Sequence, residues 1–220
     1  MARLAATRSH VVHPWWRLAL QRWFYRLVFS LSVKRSINGI RVGLFSPRKE
    51  DEEVGFSKIG RALDLIAECD PVRSRRVRRY VGRVLVFGTE PWRIAGWFDE
   101  SALCLITEPY FNSTDTSTAD LACTLVHEMT HARLCAVGIP YTEPYRSRVE
   151  SACFREEIRF ANRLPDGQRQ IETAHRHLSR DASWWTDAEM TKRRFRHLRD
   201  EGVPRWLLTV LARLFGQSAA

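Results

Sequence analysis

The sequence predicts a fold of the α+β class, and two patterns support this prediction. Segments with helical periodicity occupy both ends of the chain, and three short strand-like runs separated by turn residues lie together near its middle. The chain has 220 residues, of which 45% are hydrophobic and 27% are charged. This composition suits one main core with an appended lobe, and it excludes disorder, collagen and short disulfide scaffolds.

The first predicted element is a helix over residues 14–33. Apolar and aromatic residues cover most of its circumference, while Arg22 and Arg26 lie close together on the remainder. Such a helix needs a cover, and we expect the rest of the protein to provide it. Two alternatives stay open, namely a basic amphipathic helix lying on an anionic membrane surface and an organelle transit peptide.

Turn signals and helical periodicity define the elements that follow. Asn38-Gly39 predicts a turn before a strand at residues 40–45, and the acidic residues 50–53 predict an exposed loop. Residues 59–67 have helical periodicity. A further helix after Pro71 is expected to carry a cluster of arginines on its outer face.

A small sheet is predicted in the middle of the chain. The strand-like runs are residues 83–87, 92–98 and 102–107, and the segments between them are rich in turn-forming residues. Short connections of this kind favour neighbouring antiparallel strands. We therefore expect a small antiparallel sheet.

Two long helices are predicted after the sheet. The first covers residues 118–137 and begins at a capping box formed by Ser117 and Asp120. The second covers residues 142–164 and ends at a Pro-Asp-Gly turn. Residues 168–216 have the pattern of three further helices.

The chain is strongly basic, since 35 Lys and Arg against 25 Asp and Glu give a net charge of +10. Residues 1–49 contain no acidic side chain, and a second basic cluster consists of Arg73, Arg75, Arg76, Arg78, Arg79 and Arg83. Such clusters attract nucleic acid, anionic lipid or acidic proteins, although a solvated surface is the simpler interpretation. No helix-turn-helix signature or aromatic-basic RNA motif supports nucleic acid, which is therefore not the favoured partner.

Cysteine usage and hydropathy favour a cytoplasmic protein. The five cysteines are an odd number, none belongs to a Cys-x-x-Cys pair, and no secretory hydrophobic segment precedes them. The longest uncharged stretches are too short for a membrane-spanning helix. Peripheral attachment to a membrane through the N-terminal helix is compatible with this expectation.

One motif in the helix over residues 118–137 has the residues of a catalytic metal site. His127 and His131 are four residues apart, so their imidazoles lie on one helix face and can reach a single metal ion. Glu128 lies beside them, where its carboxylate can act on a water bound to that ion. Ordinary helix residues without a metal are the alternative interpretation.

The next helix offers the third ligand that such a site requires. Glu150 and Glu157 fall in the middle of a face whose other residues are apolar: Val149, Cys153, Phe160, Ala161 and Leu164. A buried carboxylate is costly unless it is paired, hydrogen-bonded or bound to a metal, so both glutamates are candidates. A thiolate from Cys123, Cys135 or Cys153 is a further option, although buried structural cysteine is the preferred interpretation.

With these residues the sequence resembles the zincin metallopeptidases, in particular the gluzincin arrangement and compact domains of the ImmA/IrrE type. His127 and His131 match the two histidine ligands, Glu128 the catalytic glutamate, and Glu150 the third ligand. The resemblance implies a minimal zincin-like domain over residues 51–165. A basic aromatic segment, residues 1–50, would precede it, and a helical extension, residues 166–220, would follow it.

The resemblance also implies a cofactor and a mechanism. Zinc held by His127, His131 and Glu150 would activate a water and polarise a peptide carbonyl, with Glu128 as the general base. Tyr141 and Tyr145 lie between the two ligand helices, and Tyr145 is the residue predicted to stabilise the oxyanion. Glu157 is expected to orient a ligand histidine.

Two classes of function follow from these observations. The first is zinc-dependent hydrolysis of a peptide or protein substrate, and the resemblance implies that this substrate would lie along the strand at residues 102–107, at the edge of the sheet. The alternative keeps the zincin-like scaffold without catalysis, as a regulatory protein that binds nucleic acid or a membrane surface. The oligomeric state is not specified by the sequence.

Overall fold

The structure is a computed structural model that describes residues 15–45, 49–88, 94–200, 202–204 and 206. Within these residues the chain forms eight α-helices and one five-stranded sheet, which confirms the predicted α+β class. None of the helices in these ranges is long and apolar enough to cross a membrane. The five cysteines are all free thiols.

The elements have the following bounds. The helices are α1 (Trp15–Leu31), α2 (Lys49–Cys69), α3 (Pro71–Tyr80), α4 (Glu108–Asn112), α5 (Thr118–Ala136), α6 (Glu143–Ala161), α7 (Gln168–Leu178) and α8 (Asp187–Asp200). The strands are β1 (Val33–Ile37), β2 (Ile40–Leu44), β3 (Arg83–Val86), β4 (Ala95–Phe98) and β5 (Leu103–Ile106). Short 3₁₀ turns occur at Asp99–Ser101 and Ala182–Trp185.

The sheet is mixed, and its strand order is β1-β2-β3-β5-β4. β2, β3 and β5 run parallel, whereas β1 and β4 are antiparallel to their neighbours. The antiparallel pairing expected among the last three strands is present between β4 and β5, but β3 and β5 run parallel because β4 reverses the chain and lies outside β5. The helices α2 and α3 form the crossover that makes β2 and β3 parallel. The strand predicted at residues 102–107 is also not an edge, since β5 is hydrogen-bonded on both sides and β4 lies outside it.

Alternate side chains of the strands pack on two separate cores. Val84 and Val86 belong to the larger core, which α2, α3 and α5 cover, whereas Leu85 points to the other face of the sheet. There it meets Val28 and Phe29 of α1. The N-terminal helix therefore covers one face of the sheet, and α5 packs on the opposite face.

A glycine permits the close approach of α1 to the sheet. A side chain at Gly43 of β2 would lie 3.1 Å from the ring of Phe29 and would also contact the hydroxyl of Ser32. Glycine within a strand commonly marks such an approach of another element. The Asn38-Gly39 turn predicted before β2 is present, with both residues at positive φ.

Two expectations for the helices before the site are wrong. The acidic residues 50–53 are not a loop but form the beginning of α2, where negative charge suits the helix dipole. In α3 the arginines are not all on the outer face, because Arg73 is only 7% exposed and forms ion pairs with Asp70 and Glu156.

The ligand helices have nearly the predicted bounds. The capping box at the start of α5 is present, with the Ser117 hydroxyl accepting from the backbone amide of Asp120 and the Asp120 carboxylate accepting from Ser117. α6 ends at Ala161, three residues before the predicted end. Of the three helices predicted over residues 168–216, α7 and α8 are present, and the last lies outside the described residues, as does most of the predicted turn before residue 92.

The connection between α6 and α7 depends on Gly167. A side chain at this position would overlap the carbonyl group of Ala161, with the added carbon 2.8 Å from the carbonyl carbon. Backbone atoms cannot rotate away, so Gly167→Ala should lower the free energy of unfolding by roughly 1–3 kcal/mol. Urea unfolding measures this change. Gly82→Ala is the matched control, because nothing lies within 4 Å of the added carbon there, and equal stability of the two variants would contradict the expectation.

Candidate metal centre

The two histidines of α5 converge on one point. His127 and His131 lie one helical turn apart on the side of α5 that faces α6, and their Nε2 atoms are 3.2 Å apart. Their side chains are only 11% and 10% exposed. The burial results from the packing of α6 against α5, which brings polar side chains of both helices into one small space.

Glu150 of α6 lies against both imidazoles. Its Oε2 atom is 3.5 Å from Nε2 of His127, and its Oε1 atom is 3.6 Å from Nε2 of His131. The side chain is 8% exposed, so the carboxylate is held inside the interface between the helices. The burial expected from the apolar face of α6 is thus present for Glu150, and also for its neighbours Val149 and Cys153.

These separations match those of atoms that share a metal ion. Two donor atoms about 2.0–2.1 Å from a tetrahedral zinc ion are about 3.3–3.4 Å apart. The three distances between the imidazole nitrogens and the carboxylate lie at 3.2, 3.5 and 3.6 Å. Each oxygen of Glu150 faces a different imidazole, so the three groups surround one common point.

Cys153 adds a thiol to the same space. It follows Glu150 by one helical turn and is fully buried, and its Sγ atom and the ring nitrogens of His127 and His131 all lie within 4.8 Å of one another. This buried group could bind a metal ion. Sequence reasoning preferred a structural role for this cysteine, although its position on the same helix face as Glu150 was a usable signal.

Glu157 occupies the other side of His127. Its Oε2 atom is 3.1 Å from Nδ1 of His127, whereas Nε2 of the same ring faces Glu150. A carboxylate at Nδ1 fixes the orientation and the tautomer of an imidazole that binds metal through Nε2. This is the position expected of a residue that orients a ligand histidine.

The carboxylates set the protonation of the group. Burial alone would lower the pKa of His127, but hydrogen bonds to Glu150 and Glu157 outweigh it and hold that pKa well above its usual value. Burial would likewise raise the pKa of Glu150, yet His127 and the charge of His131 bring it down to about 2. Burial and the neighbouring carboxylates raise the pKa of the Cys153 thiol.

Two further predicted residues have different surroundings. Glu128 is 5% exposed, and its charge contributes to the raised pKa values of both His127 and Cys153. Tyr145 is 47% exposed at the start of α6. Of the two tyrosines considered from the sequence, Tyr141 is the one whose hydroxyl donates to Oε1 of Glu150, and its ring lies edge-on to His131.

Residues after α6 form a wall beside the centre. Phe154 of α6 lies edge-on to His127, and the ring of His177 from α7 stacks on Phe154 with ring centroids 4.7 Å apart. Arg146 binds the backbone carbonyl of Trp185 and the carboxylate of Asp187, which ties the segment before α8 to α6. No sequence pattern indicates this contact of His177.

Comparisons with protein-family models, with curated proteins and with solved structures found no match to this chain. The residues that could bind a metal ion are therefore assigned from the distances and burial of their donor atoms alone. Two imidazoles with a carboxylate and a thiol are a donor set that suits zinc and several other transition metals.

The half-buried position of His177 predicts an acid sensitivity. Burial and the charge of Arg180 lower the pKa of His177 to about 4. Because this folded-state value lies below the unfolded value of about 6.5, the unfolded chain binds the proton more tightly, and stability falls as the pH drops from about 6.5 toward 4. His177→Phe should retain the stacking and reduce the loss of unfolding free energy between pH 7.5 and 5 by on the order of 1 kcal/mol, after allowance for solvent screening.

Urea unfolding at the two pH values measures this difference. His175→Phe on the exposed side of α7 is the matched control and should leave the pH dependence of the wild type unchanged. The same pH dependence in wild type and His177→Phe would contradict the expectation.

Proposed function

We propose that this protein is a zinc-dependent peptidase whose centre consists of His127, His131 and Glu150. The observation that carries the proposal is the set of separations of 3.2, 3.5 and 3.6 Å between the two imidazole nitrogens and the carboxylate. Zinc sites in hydrolases use three protein ligands and leave a fourth position open. The resemblance of His127, Glu128 and His131 to the zincin motif supports the same chemistry.

Glu150 is the better third ligand than Cys153. A metal ligand must be deprotonated, and His127 and the charge of His131 outweigh burial and keep the Glu150 carboxylate ionised before any ion binds. Burial and the charges of Glu150, Glu128 and Glu157 raise the pKa of the Cys153 thiol. A thiolate there would add a further negative charge to a space that already holds three carboxylates.

Each residue of the centre then has a distinct task. Zinc would lower the pKa of a bound water and polarise the carbonyl of the peptide. The Glu128 carboxylate would accept a proton as general base and later return it to the leaving nitrogen. Glu157 holds the ring of His127 in orientation through Nδ1.

An oxyanion donor is also required. Tyr141 is preferred to Tyr145 for this task, because its hydroxyl is already beside Glu150 and its ring lies against His131. Rotation of the hydroxyl from Glu150 toward the substrate would provide the hydrogen bond.

The sheet offers a place for an extended peptide. β4 pairs only with β5 among the described strands, and it packs beside α5. An edge strand can bind a peptide through its backbone groups while the peptide side chains occupy neighbouring pockets. We therefore propose β4, and not β5, as the strand along which a substrate lies.

A non-catalytic metal site is the second candidate, and Cys153 is the observation that favours it. If Glu150 and Cys153 both bound the ion together with the histidines, four protein ligands would close the site. No position would then be open for a reacting water. Such a centre would stabilise a scaffold with a regulatory role.

Metal analysis of variants distinguishes the two candidates. We expect about one zinc per chain, lost in His127→Ala and Glu150→Gln and retained in Cys153→Ala. Substitution with cobalt gives a second measurement, because a bound thiolate produces an intense charge-transfer band in the near-ultraviolet region. Retention of zinc in Glu150→Gln, or a charge-transfer band that disappears in Cys153→Ala, would exclude the proposed ligand set.

Catalysis itself depends on Glu128. Glu128→Gln should retain zinc and lower the rate of peptide hydrolysis by at least about 100-fold, because the amide cannot accept a proton from the water. A peptide library read by mass spectrometry identifies a substrate and measures the rate. Glu68→Gln, an exposed position on α2, is the control and should leave the rate unchanged; undiminished hydrolysis by Glu128→Gln would refute the mechanism.

A further inference from the structure

The outer face of α1 exposes an uninterrupted apolar stripe. Among the side chains of α1 that the structure describes, five large apolar ones are exposed: Leu20 (57%), Trp23 (60%), Phe24 (43%), Leu27 (39%) and Leu31 (67%). At about 100° per residue these five positions fall within roughly 100° of the helix circumference. They therefore form one continuous surface, which we call the α1 stripe.

The α1 stripe is exposed because the opposite side of the helix holds it to the protein. Val28 and Phe29 are only 6% and 7% exposed and pack on Leu85, Leu103 and Leu105 of the sheet. Ser32 is buried beside the same contact. The helix is thus fixed with the α1 stripe directed away from the sheet.

Aromatic residues of two strand ends extend the stripe. The rings of Phe24 and Phe87 lie 6.1 Å apart, and those of Phe87 and Phe45 lie 5.1 Å apart. Phe45 is itself 39% exposed. The apolar surface thus continues from α1 onto the ends of β2 and β3, and it is larger than a single helix face.

The charges that this segment itself carries are of one sign, although Asp99 is exposed in the 3₁₀ turn that packs beside α1. Residues 15–45 contain six basic side chains and no acidic one. Arg22 and Arg26 of α1 are exposed and fall together on the helix edge next to Trp23. An apolar face with aromatic side chains and a basic edge is the pattern of helices that lie in the interface of an anionic bilayer.

We propose that the α1 stripe docks this protein on the surface of an anionic lipid bilayer. Trp23, Phe24 and the leucines enter the boundary between headgroups and acyl chains, while Arg22 and Arg26 bind lipid phosphates. A second copy of the chain fits less well, because a two-fold contact through the same surface would bring the arginine edges of both copies together.

This attachment leaves the metal centre accessible. α1 and α5 cover opposite faces of the sheet, so the sheet separates the bilayer from the helix that carries His127 and His131. The docking surface and the metal centre are therefore independent, and one can be altered without the other.

Flotation with vesicles tests the proposal on the full chain. The vesicles contain phosphatidylcholine with about one third phosphatidylglycerol, and pure phosphatidylcholine vesicles provide the comparison. Trp23→Ser combined with Leu27→Ser removes apolar area without a change in charge, and should weaken the partition by at least about tenfold. Arg22→Gln combined with Arg26→Gln should weaken it by about fivefold for each arginine.

The control removes the same charge elsewhere. Arg75 and Arg78 are exposed on α3, which packs on the opposite face of the sheet, so Arg75→Gln with Arg78→Gln should leave the partition nearly unchanged. Circular dichroism and urea unfolding show that each variant is folded.

Three results would overturn the proposal. The first is a wild-type chain that does not float with the anionic vesicles. The second is a loss of binding in the α3 control as large as in the α1 variants, because net charge alone would then explain binding. The third is a dimer, detected by light scattering, that dissociates in Trp23→Ser with Leu27→Ser while vesicle binding is absent, because the stripe would then be an interface between copies.

Discussion

The burial of the Glu150 carboxylate against two imidazoles is the interaction on which the structure around the centre depends. A carboxylate removed from water costs several kcal/mol unless charged or hydrogen-bonding groups replace the solvent. His127, His131 and Tyr141 provide these groups, and they do so only when α6 packs on α5 in the observed register. The contacts that pack α6 on α5 are therefore the same contacts that form the centre.

Ionic contacts on other faces hold the two helices in this register. Glu156 of α6 binds Arg73 of α3 at 3.1 Å, and both side chains are buried. At the start of α5, Asp120 receives hydrogen bonds from Arg169 and Gln170, which join it to α7. The Asp120 carboxylate therefore caps α5 and also binds α7. The two ligand helices are thus each linked to a further helix, α5 to α7 and α6 to α3.

The features that sequence reasoning predicted are those determined by local patterns. Helical periodicity and the Ser117–Asp120 capping box predicted both ends of α5 to within one residue. The four-residue spacing of the histidines predicted that they lie on one helix face. The apolar face of α6 predicted that Glu150 would be buried. These patterns involve residues within one or two turns of each other, so the sequence alone contains them.

The features that were missed depend on contacts between distant parts of the chain. The parallel centre of the sheet results from the α2–α3 crossover between β2 and β3 and from the insertion of β5 between β3 and β4, and no property of the strands themselves reveals either. His177 stacks on Phe154 because the turn at Gly167 directs α7 back along α6. The acidic start of α2 is a local exception, because runs of acidic residues occur both in exposed loops and in the first turn of helices.

The charge balance of the centre explains why these residues suit a cation rather than an apolar core. Glu128, Glu150 and Glu157 bring three carboxylates around two imidazoles. Glu157 is the most exposed of the three, and its side chain is only 13% exposed. A proton on His127 offsets part of this charge, which is why its pKa lies well above the usual value. A divalent cation offsets more of the charge than a proton does, and it requires neutral imidazoles. Binding of a cation at this centre would therefore release the proton from His127 and would link metal affinity, helix packing and pH through the same few side chains.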